Sequence, residues 1–165
     1  MEVHPLFIIN PLNKLMMKTK VNEIRISYSG GLKASLLPKI TSSQKAAIIA
    51  HKQWDKQNIE LCESFQVMLL NNANRVKGMY EVSRGGITGT MVDLRILFAV
   101  MLKSLTTAVI LVHNHPSGTL KPSEADKRLT QKIKRAGDLF DIKVLDHLIL
   151  SPDGDYYSFA DHGIL

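Results

Sequence analysis

The chain has 165 residues, of which 45% are apolar and 22% are charged, and its net charge is +6. This length suits one domain that buries a core without disulfides or a structural metal, and no apolar run approaches the roughly 20 residues of a membrane-spanning helix. The single cysteine, Cys62, excludes an internal disulfide and a zinc site made of several thiolates. Because the opening carries Glu2 and two early prolines instead of a basic export signal, we expect a cytoplasmic protein.

The positive charge is concentrated in the first third of the chain. Residues 1–58 hold nine Lys and Arg against three Asp and Glu, whereas residues 59–165 hold twelve of each. A basic segment can dock on nucleic acid through phosphate contacts. A solvated, mildly basic surface is the commoner outcome, so nucleic acid is a weakly supported partner.

The N-terminal part of the chain predicts an arm, a strand and a helix. Residues 1–20 show no sustained period and are interpreted as an arm. In the segment 21–60, Ile24, Ile26 and Tyr28 alternate with polar residues, which favours a half-buried strand.

The helix in this segment is expected to begin after a serine cap. Either Ser42 or Ser43 can cap it. Its apolar residues Ile48, Ile49 and Trp54 are expected to face a core.

The remainder, residues 61–165, is denser in apolar pattern. "LCESFQVMLLNN" and "VKGMYEVSRGG", joined by "ANR", predict a β-hairpin. An amphipathic helix follows at about 92–104. The residues at core spacing in it are Leu94, Leu97, Phe98, Met101 and Leu102.

Strand and helix then alternate to the C-terminus. The pattern predicts a strand at 106–113, a helix from 124 to about 139, and a strand at 142–151 before the turn "PDGD". Alternating strands and helices are typical of a layered α/β domain, here with a mixed sheet flanked by helices.

Two histidines end the predicted strand 106–113. In "VHNHPSGTLKPSEAD", His113 and His115 lie two residues apart, so on a strand both point to the same face while Asn114 points away. Pro116 keeps His115 extended until the chain turns at Ser117. Taken alone, such a pair more often marks the exit of a strand into solvent than a metal site.

A carboxylate at the start of the next helix changes that balance. Ser123 and Asp126 match a helix-capping pattern, which explains Ser123 well. The helix is expected to bury Ala125, Leu129, Ile133, Ala136 and Phe140. At about 100° per residue, Asp126 lies within roughly 20° of Ile133 and so faces inward. An inward carboxylate needs a partner, such as a cation held by His113 and His115.

Two histidines and one carboxylate are the three protein ligands of many catalytic zinc sites, where the fourth position takes water. Zinc lowers the pKa of such a water to about 7. A carboxylate on an inward face is then needed to accept its proton. Glu63 shares strand parity with Phe65, whereas Glu81 alternates with apolar residues and is expected to be solvated. For Glu63, a strand end still in water is an equally good explanation.

The pattern His-x-His, seven residues, Ser, two residues, Asp, with an earlier Glu, resembles the JAMM (MPN+) metallopeptidase motif without a departure in spacing. "AVILVHNHPSGTLKPSEAD" and "VLDHLIL" look like the bacterial RadC subfamily from about residue 40 onward. The resemblance implies an MPN (JAB)-like fold, related in architecture to cytidine deaminases. It also implies a Zn²⁺-dependent hydrolase of peptide or isopeptide bonds, whose partner is a protein or peptide substrate.

By the same resemblance, each residue of the motif receives a role. His113, His115 and Asp126 would hold zinc, Glu63 would act as general base and acid, and the Ser123 hydroxyl would polarise the oxyanion. Longer RadC proteins carry an N-terminal helical segment suggestive of DNA binding, which the strand-like first 58 residues do not match. The alternative function is a DNA-repair-associated accessory protein whose metal only braces the loop.

One more histidine stands among the apolar residues of the last long predicted strand. His147 in "LDHLIL" is better explained as a satisfied core histidine than as a fourth ligand. Asp146 or His147 could also orient a ligand imidazole. The zinc deaminases themselves are excluded, because they need a Pro-Cys-x-x-Cys element and the chain has one cysteine.

Overall fold

The computed structural model describes residue 28, residues 30–86 and residues 91–165. The predicted arm and all of the predicted first strand except Tyr28 lie outside these described residues. The fold below is built from the remainder, which includes every residue predicted to form the site.

A five-stranded mixed sheet occupies the centre of the domain. Its spatial order is β2-β1-β3-β4-β5. All neighbours are antiparallel except β3 and β4, which run parallel. The strands are β1 (Ser64–Leu70), β2 (Val76–Arg84), β3 (Ala108–Asn114), β4 (Lys143–Leu150) and β5 (Tyr156–Ser158).

Three α-helices accompany the sheet, preceded by a short 3₁₀ helix at Ala34–Leu36. Helix α1 spans Ser43–Gln53, α2 spans Leu94–Lys103, and α3 spans Glu124–Asp138. Ser42 caps α1, because its hydroxyl oxygen accepts from the backbone N–H of Lys45 at 3.2 Å. Helix α3 makes the crossover that a parallel pair such as β3 and β4 requires.

The sheet is covered on both faces. Helix α1 packs through Ala46 and Ala50 on one face, while α2 and α3 pack through Leu97 and Ile133 on the other. Strands β1 and β3 are buried along their whole length, as expected for strands covered on two sides. The predicted α/β layered domain with a mixed sheet and flanking helices is confirmed.

The predicted inner faces of the helices were partly wrong. Ile48, Leu102 and Phe140 are each 44–50% exposed, and Ala125 is exposed as well. Ala125 lies in the first turn of α3, and Phe140 lies beyond its last residue, so neither belongs to the stretch that the sheet covers. Ile49, Trp54, Leu97 and the central residues of α3 do pack against the core.

No helix in the described ranges is long and apolar enough to cross a membrane.

Candidate metal centre

The end of β3 aims His113 into the face covered by α2 and α3. His113 has the same parity as Val109 and Leu111, which pack against those helices. Its side chain is 1% exposed and lies stacked beside Phe65 on the neighbouring strand, with ring centroids 6.3 Å apart. The ring is therefore almost fully removed from solvent.

His115 follows the strand and is fixed by the turn after it. Its backbone N–H donates to the carbonyl of Leu150 at 2.9 Å, and its carbonyl accepts from Gly118 N–H at 2.9 Å. Gly118 has a φ of 75°, which glycine adopts without strain. The Nδ1 of His115 lies 2.6 Å from the carbonyl oxygen of Thr119. A carbonyl can only accept, so Nδ1 carries the proton and Nε2 points toward His113.

Asp126 is oriented by the start of α3. Ser123 and Asp126 form a capping box, in which the Ser123 hydroxyl oxygen accepts from Asp126 N–H. In return, the Oδ2 of Asp126 accepts from the Ser123 hydroxyl at 2.6 Å and from the Ser123 N–H at 2.7 Å. Oδ2 is thus engaged, and Oδ1 is the oxygen left to face the histidines.

The three side chains converge on one point. The Nε2 atoms of His113 and His115 are 3.0 Å apart, and the Nε2 of His113 is 3.6 Å from the Oδ1 of Asp126. One ligand atom from each of the three residues lies within 4.8 Å of the others. These residues form a possible metal-binding group.

The donor set fits zinc in type and, for the two distances measured from His113, in spacing. Tetrahedral zinc with bonds of about 2.0–2.2 Å to nitrogen and oxygen places its ligand atoms roughly 3.3–3.5 Å apart. The two distances from the Nε2 of His113 lie within a few tenths of an ångström of this value. Two imidazoles and one carboxylate would leave the fourth position of the ion to solvent or substrate.

Burial favours the neutral form that a ligand imidazole needs. Desolvation lowers the pKa of His113 to about 4, although the nearby carboxylate of Asp126 raises it and His115 lowers it further. His113 is therefore neutral at pH 7. A neutral imidazole has one nitrogen without a proton, which is the atom that binds a metal.

Glu63 lies one residue before β1 and lines a cleft together with His113, His115 and Asp126. Its backbone is tied to the far end of β2, with Gly85 N–H donating to the Glu63 carbonyl at 2.8 Å. Phe65 and Val67, which share its parity, pack toward α2 and α3. Glu81 is exposed and pairs with Arg84, as expected for a solvated carboxylate.

The five residues singled out from the sequence line one cleft of about 410 Å³. Glu63 precedes β1 and the two histidines lie at the end of the neighbouring β3, while Ser123 and Asp126 lie at the start of α3. The apolar lining is contributed by Phe65, Met91, Val92, Ala125 and Leu129. The roles that the resemblance gives to these residues stay predictions, whereas their convergence is a property of the structure.

Three polar contacts around the cleft were missed or only partly seen from the sequence. Asn114 turns away as expected, but it also holds the segment before β1 through its side chain. His147 contacts the Nδ1 of His113 through its own Nε2 at 2.8 Å. Thr130 then contacts the other nitrogen of His147. The signal for Thr130 was its position four residues after Asp126, on the same face of α3.

Comparison with known proteins agrees with this architecture. Residues 40–164 match the RadC-like JAB domain family. A UPF0758 protein of Flavobacterium johnsoniae is 48% identical over 128 residues, which cover 78% of this chain and 54% of that protein. A UPF0758 protein of Nitrosococcus oceani is 46% identical over 103 residues, covering 62% of this chain and 46% of that protein. The chain therefore spans about half the length of these curated relatives, and it belongs to the RadC-like JAB domain family.

Proposed function

We propose that the chain is a zinc-dependent hydrolase of peptide or isopeptide bonds. The observation that carries the proposal is the convergence of His113, His115 and Asp126 within 4.8 Å in a cleft that Glu63 also lines. A metal that only braced a loop would have no need of a further carboxylate lining the same cleft.

Zinc bound by the three ligands would supply positive charge for a carbonyl oxygen and a water molecule of lowered pKa. The residues of the chain would do the rest. Glu63 would accept the proton of the attacking water and pass it to the leaving amine. The Ser123 hydroxyl donates to Oδ2 of Asp126. This contact favours a role in orienting the Asp126 carboxylate over the direct polarisation of an oxyanion.

The substrate class is inferred from the shape and lining of the cleft. Phe65, Val92 and Leu129 provide apolar walls beside the polar centre, as suits a polypeptide segment with an apolar side chain near the bond to be cut. Since the matched region covers only about half of each of these relatives, the substrate and partners of the whole protein belong to the proposal. A cytoplasmic site of action is consistent with the free thiol of Cys62.

The test combines metal analysis with a matched pair of carboxylate variants. Protein purified without added metal should contain about one zinc per chain, and His113→Ala should lose it. Glu63→Gln should keep zinc but lose hydrolysis of a peptide library followed by mass spectrometry. Glu81→Gln, which changes an exposed carboxylate on the same hairpin, should keep both. Zinc content that His113→Ala leaves unchanged, or hydrolysis that Glu63→Gln retains, would contradict the proposal.

A further inference from the structure

A chain of three hydrogen bonds links the backbone of α3 to the ring of His113. The Thr130 hydroxyl donates to the carbonyl oxygen of Asp126 at 2.6 Å. The Oγ1 of Thr130 lies 2.6 Å from the Nδ1 of His147, and the Nε2 of His147 lies 2.8 Å from the Nδ1 of His113. All three side chains are buried.

The donor and the acceptor in each hydrogen bond follow from the bond before it, starting at the backbone carbonyl of Asp126. A carbonyl oxygen cannot donate, so the single hydroxyl proton of Thr130 must point to Asp126. Thr130 then has no proton for His147 and can only accept from it. The Nδ1 of His147 must therefore carry a proton.

The same reasoning fixes the proton of His113. The ring of His147 is fully buried, and the partners of its two nitrogens are a hydroxyl and another imidazole. A buried cation without an acidic partner is costly, so the ring is neutral and its Nε2 carries no proton. That nitrogen accepts from His113, whose Nδ1 must be the donor. In a neutral His113 the lone pair is then on Nε2, the atom that faces His115 and Asp126.

Packing holds His147 in the orientation that this requires. Its ring stacks on Phe159 with centroids 4.6 Å apart and meets Phe65 edge-on at 5.6 Å. Its backbone N–H donates to Asp146, whose carboxylate also accepts from Ser158 and Ala160. From the sequence, either Asp146 or His147 could orient a ligand imidazole. In the structure His147 contacts the ring of His113, while the Asp146 carboxylate accepts from the backbone N–H of His147 and so holds that residue in place.

We infer that Thr130 and His147 are positioning residues that select the tautomer of His113, so that its Nε2 lone pair is presented to the metal. Asp126 acts twice in this arrangement. Its carboxylate faces the metal position, and its backbone carbonyl sets the direction of the three hydrogen bonds that end at His113. The inference rests on the proposed function in one respect, namely that His113 is a metal ligand, and it does not depend on hydrolysis.

The test reads the tautomers directly. Long-range ¹H–¹⁵N spectra of the chelator-treated protein at pH 7.5 should show the proton on Nδ1 in both His113 and His147. Thr130→Val removes the hydroxyl at nearly constant shape, which frees His147 to place its proton on Nε2 and to force the proton of His113 onto its own Nε2. We expect zinc affinity, measured by competition with a chromophoric chelator, to fall about 10- to 100-fold. Thr130→Ser keeps the hydroxyl and should bind zinc as tightly as the wild type.

Thr106→Val is the matched control, because Thr106 is also a buried threonine whose hydroxyl is hydrogen-bonded, to Ser104, on a different segment. It should lower stability without changing zinc affinity or either tautomer. Wild-type spectra with the proton on the Nε2 of His113 would overturn the inference even if Thr130→Val failed to fold. So would a folded Thr130→Val with unchanged tautomers and zinc affinity. If the tautomers are as inferred but no peptide is cut, only the proposed hydrolysis fails.

Discussion

Asn114 and Ser64 are 50 residues apart in the chain, yet the Oδ1 of Asn114 accepts from the backbone N–H of Ser64 at 2.8 Å. The amide nitrogen of the same side chain donates to the carbonyls of Ile59 at 2.7 Å and Cys62 at 3.0 Å. The residue between His113 and His115 therefore holds both neighbours of Glu63. The end of β3 thus positions both the two histidines and the segment that carries Glu63.

Replacing Asn114 with alanine should loosen the segment that carries Glu63. The change leaves one N–H and two carbonyls in a buried site without their partner, which predicts a loss of about 2–4 kcal/mol in the free energy of unfolding. Urea denaturation measures this loss. Hydrogen exchange followed by mass spectrometry should show faster exchange over residues 59–64.

Asn71→Ala is the control for this prediction. Asn71 also accepts two backbone N–H bonds through its side chain, from Ala73 and Arg75, but only within the turn between β1 and β2. It should destabilise the turn and leave exchange over residues 59–64 unchanged. Equal protection of that segment in wild type and Asn114→Ala would show that Asn114 does not hold it.

The Ser123 hydroxyl is predicted to serve Asp126. Ser123→Ala removes the acceptor for Asp126 N–H and one of two donors to Oδ2, so we expect a loss of about 1 kcal/mol in stability and up to about a 10-fold loss in zinc affinity. Ser123→Thr keeps the hydroxyl and should stay close to wild type. Thermal denaturation and chelator competition measure the two effects.

A second cap separates helix stability from metal binding. Ser42→Ala removes the equivalent bond to Lys45 N–H at the start of α1 and should cost a similar stability without affecting zinc. If Ser123→Ala keeps wild-type stability and zinc affinity but loses turnover, the hydroxyl acts on the reacting carbonyl instead, as the JAMM resemblance implies.

The parts of the site that were predictable from the sequence depend on short-range geometry. His113 and His115 share a face because strand side chains alternate, and the inward position of Asp126 follows from the 100° step of α3 and its distance from Ile133. Both depend on residues close together in one element. The type and order of the three α-helices and of β1 to β4 were predictable for the same reason, whereas the short strand β5 was not predicted.

The choice between Asp146 and His147 was beyond this reasoning because β4 does not alternate regularly. Val109 of β3 pairs with Val144, but the next residue, Ile110, pairs with Asp146, so the register skips Leu145. Strict alternation from Val144 would have placed Asp146 toward α3. The shift turns His147 to that face instead. Such an irregularity is set by pairing between strands and leaves no local signal.

The buried histidines predict that the metal-free protein loses stability in mild acid. His113 has a pKa of about 4 in the folded state, against about 6.5 when unfolded, and burial lowers the pKa of His147 in the same direction. The unfolded chain thus binds more protons between these values, so stability is complete above pH 6.5 and declines as pH falls toward 4. For His113 the loss between pH 7 and pH 5 is about 2 kcal/mol.

Urea denaturation of the chelator-treated protein at pH 7, 6 and 5 measures this decline. His162 is exposed, so His162→Gln should show the same slope as wild type. A stability that stays constant from pH 7 to pH 5 would contradict the neutral, buried state of both rings.

Gly137 near the end of α3 is predicted to reject even alanine. A Cβ at this position would lie 2.5 Å from the carbonyl oxygen of Ile142, which is backbone and cannot swing aside. The Gly137 carbonyl also accepts from Ile142 N–H at 3.0 Å, so the helix end is tied to the chain entering β4. Alanine would gain about 1 kcal/mol in helix propensity, but we expect the clash to outweigh it and leave a net loss of about 1–3 kcal/mol.

In Gly78→Ala, the control, the added Cβ would meet no atom within 4 Å, and stability should change little. A Gly137→Ala protein as stable as wild type in urea would mean that the end of α3 moves freely against β4, and the position of Thr130 and Asp126 would then need another explanation.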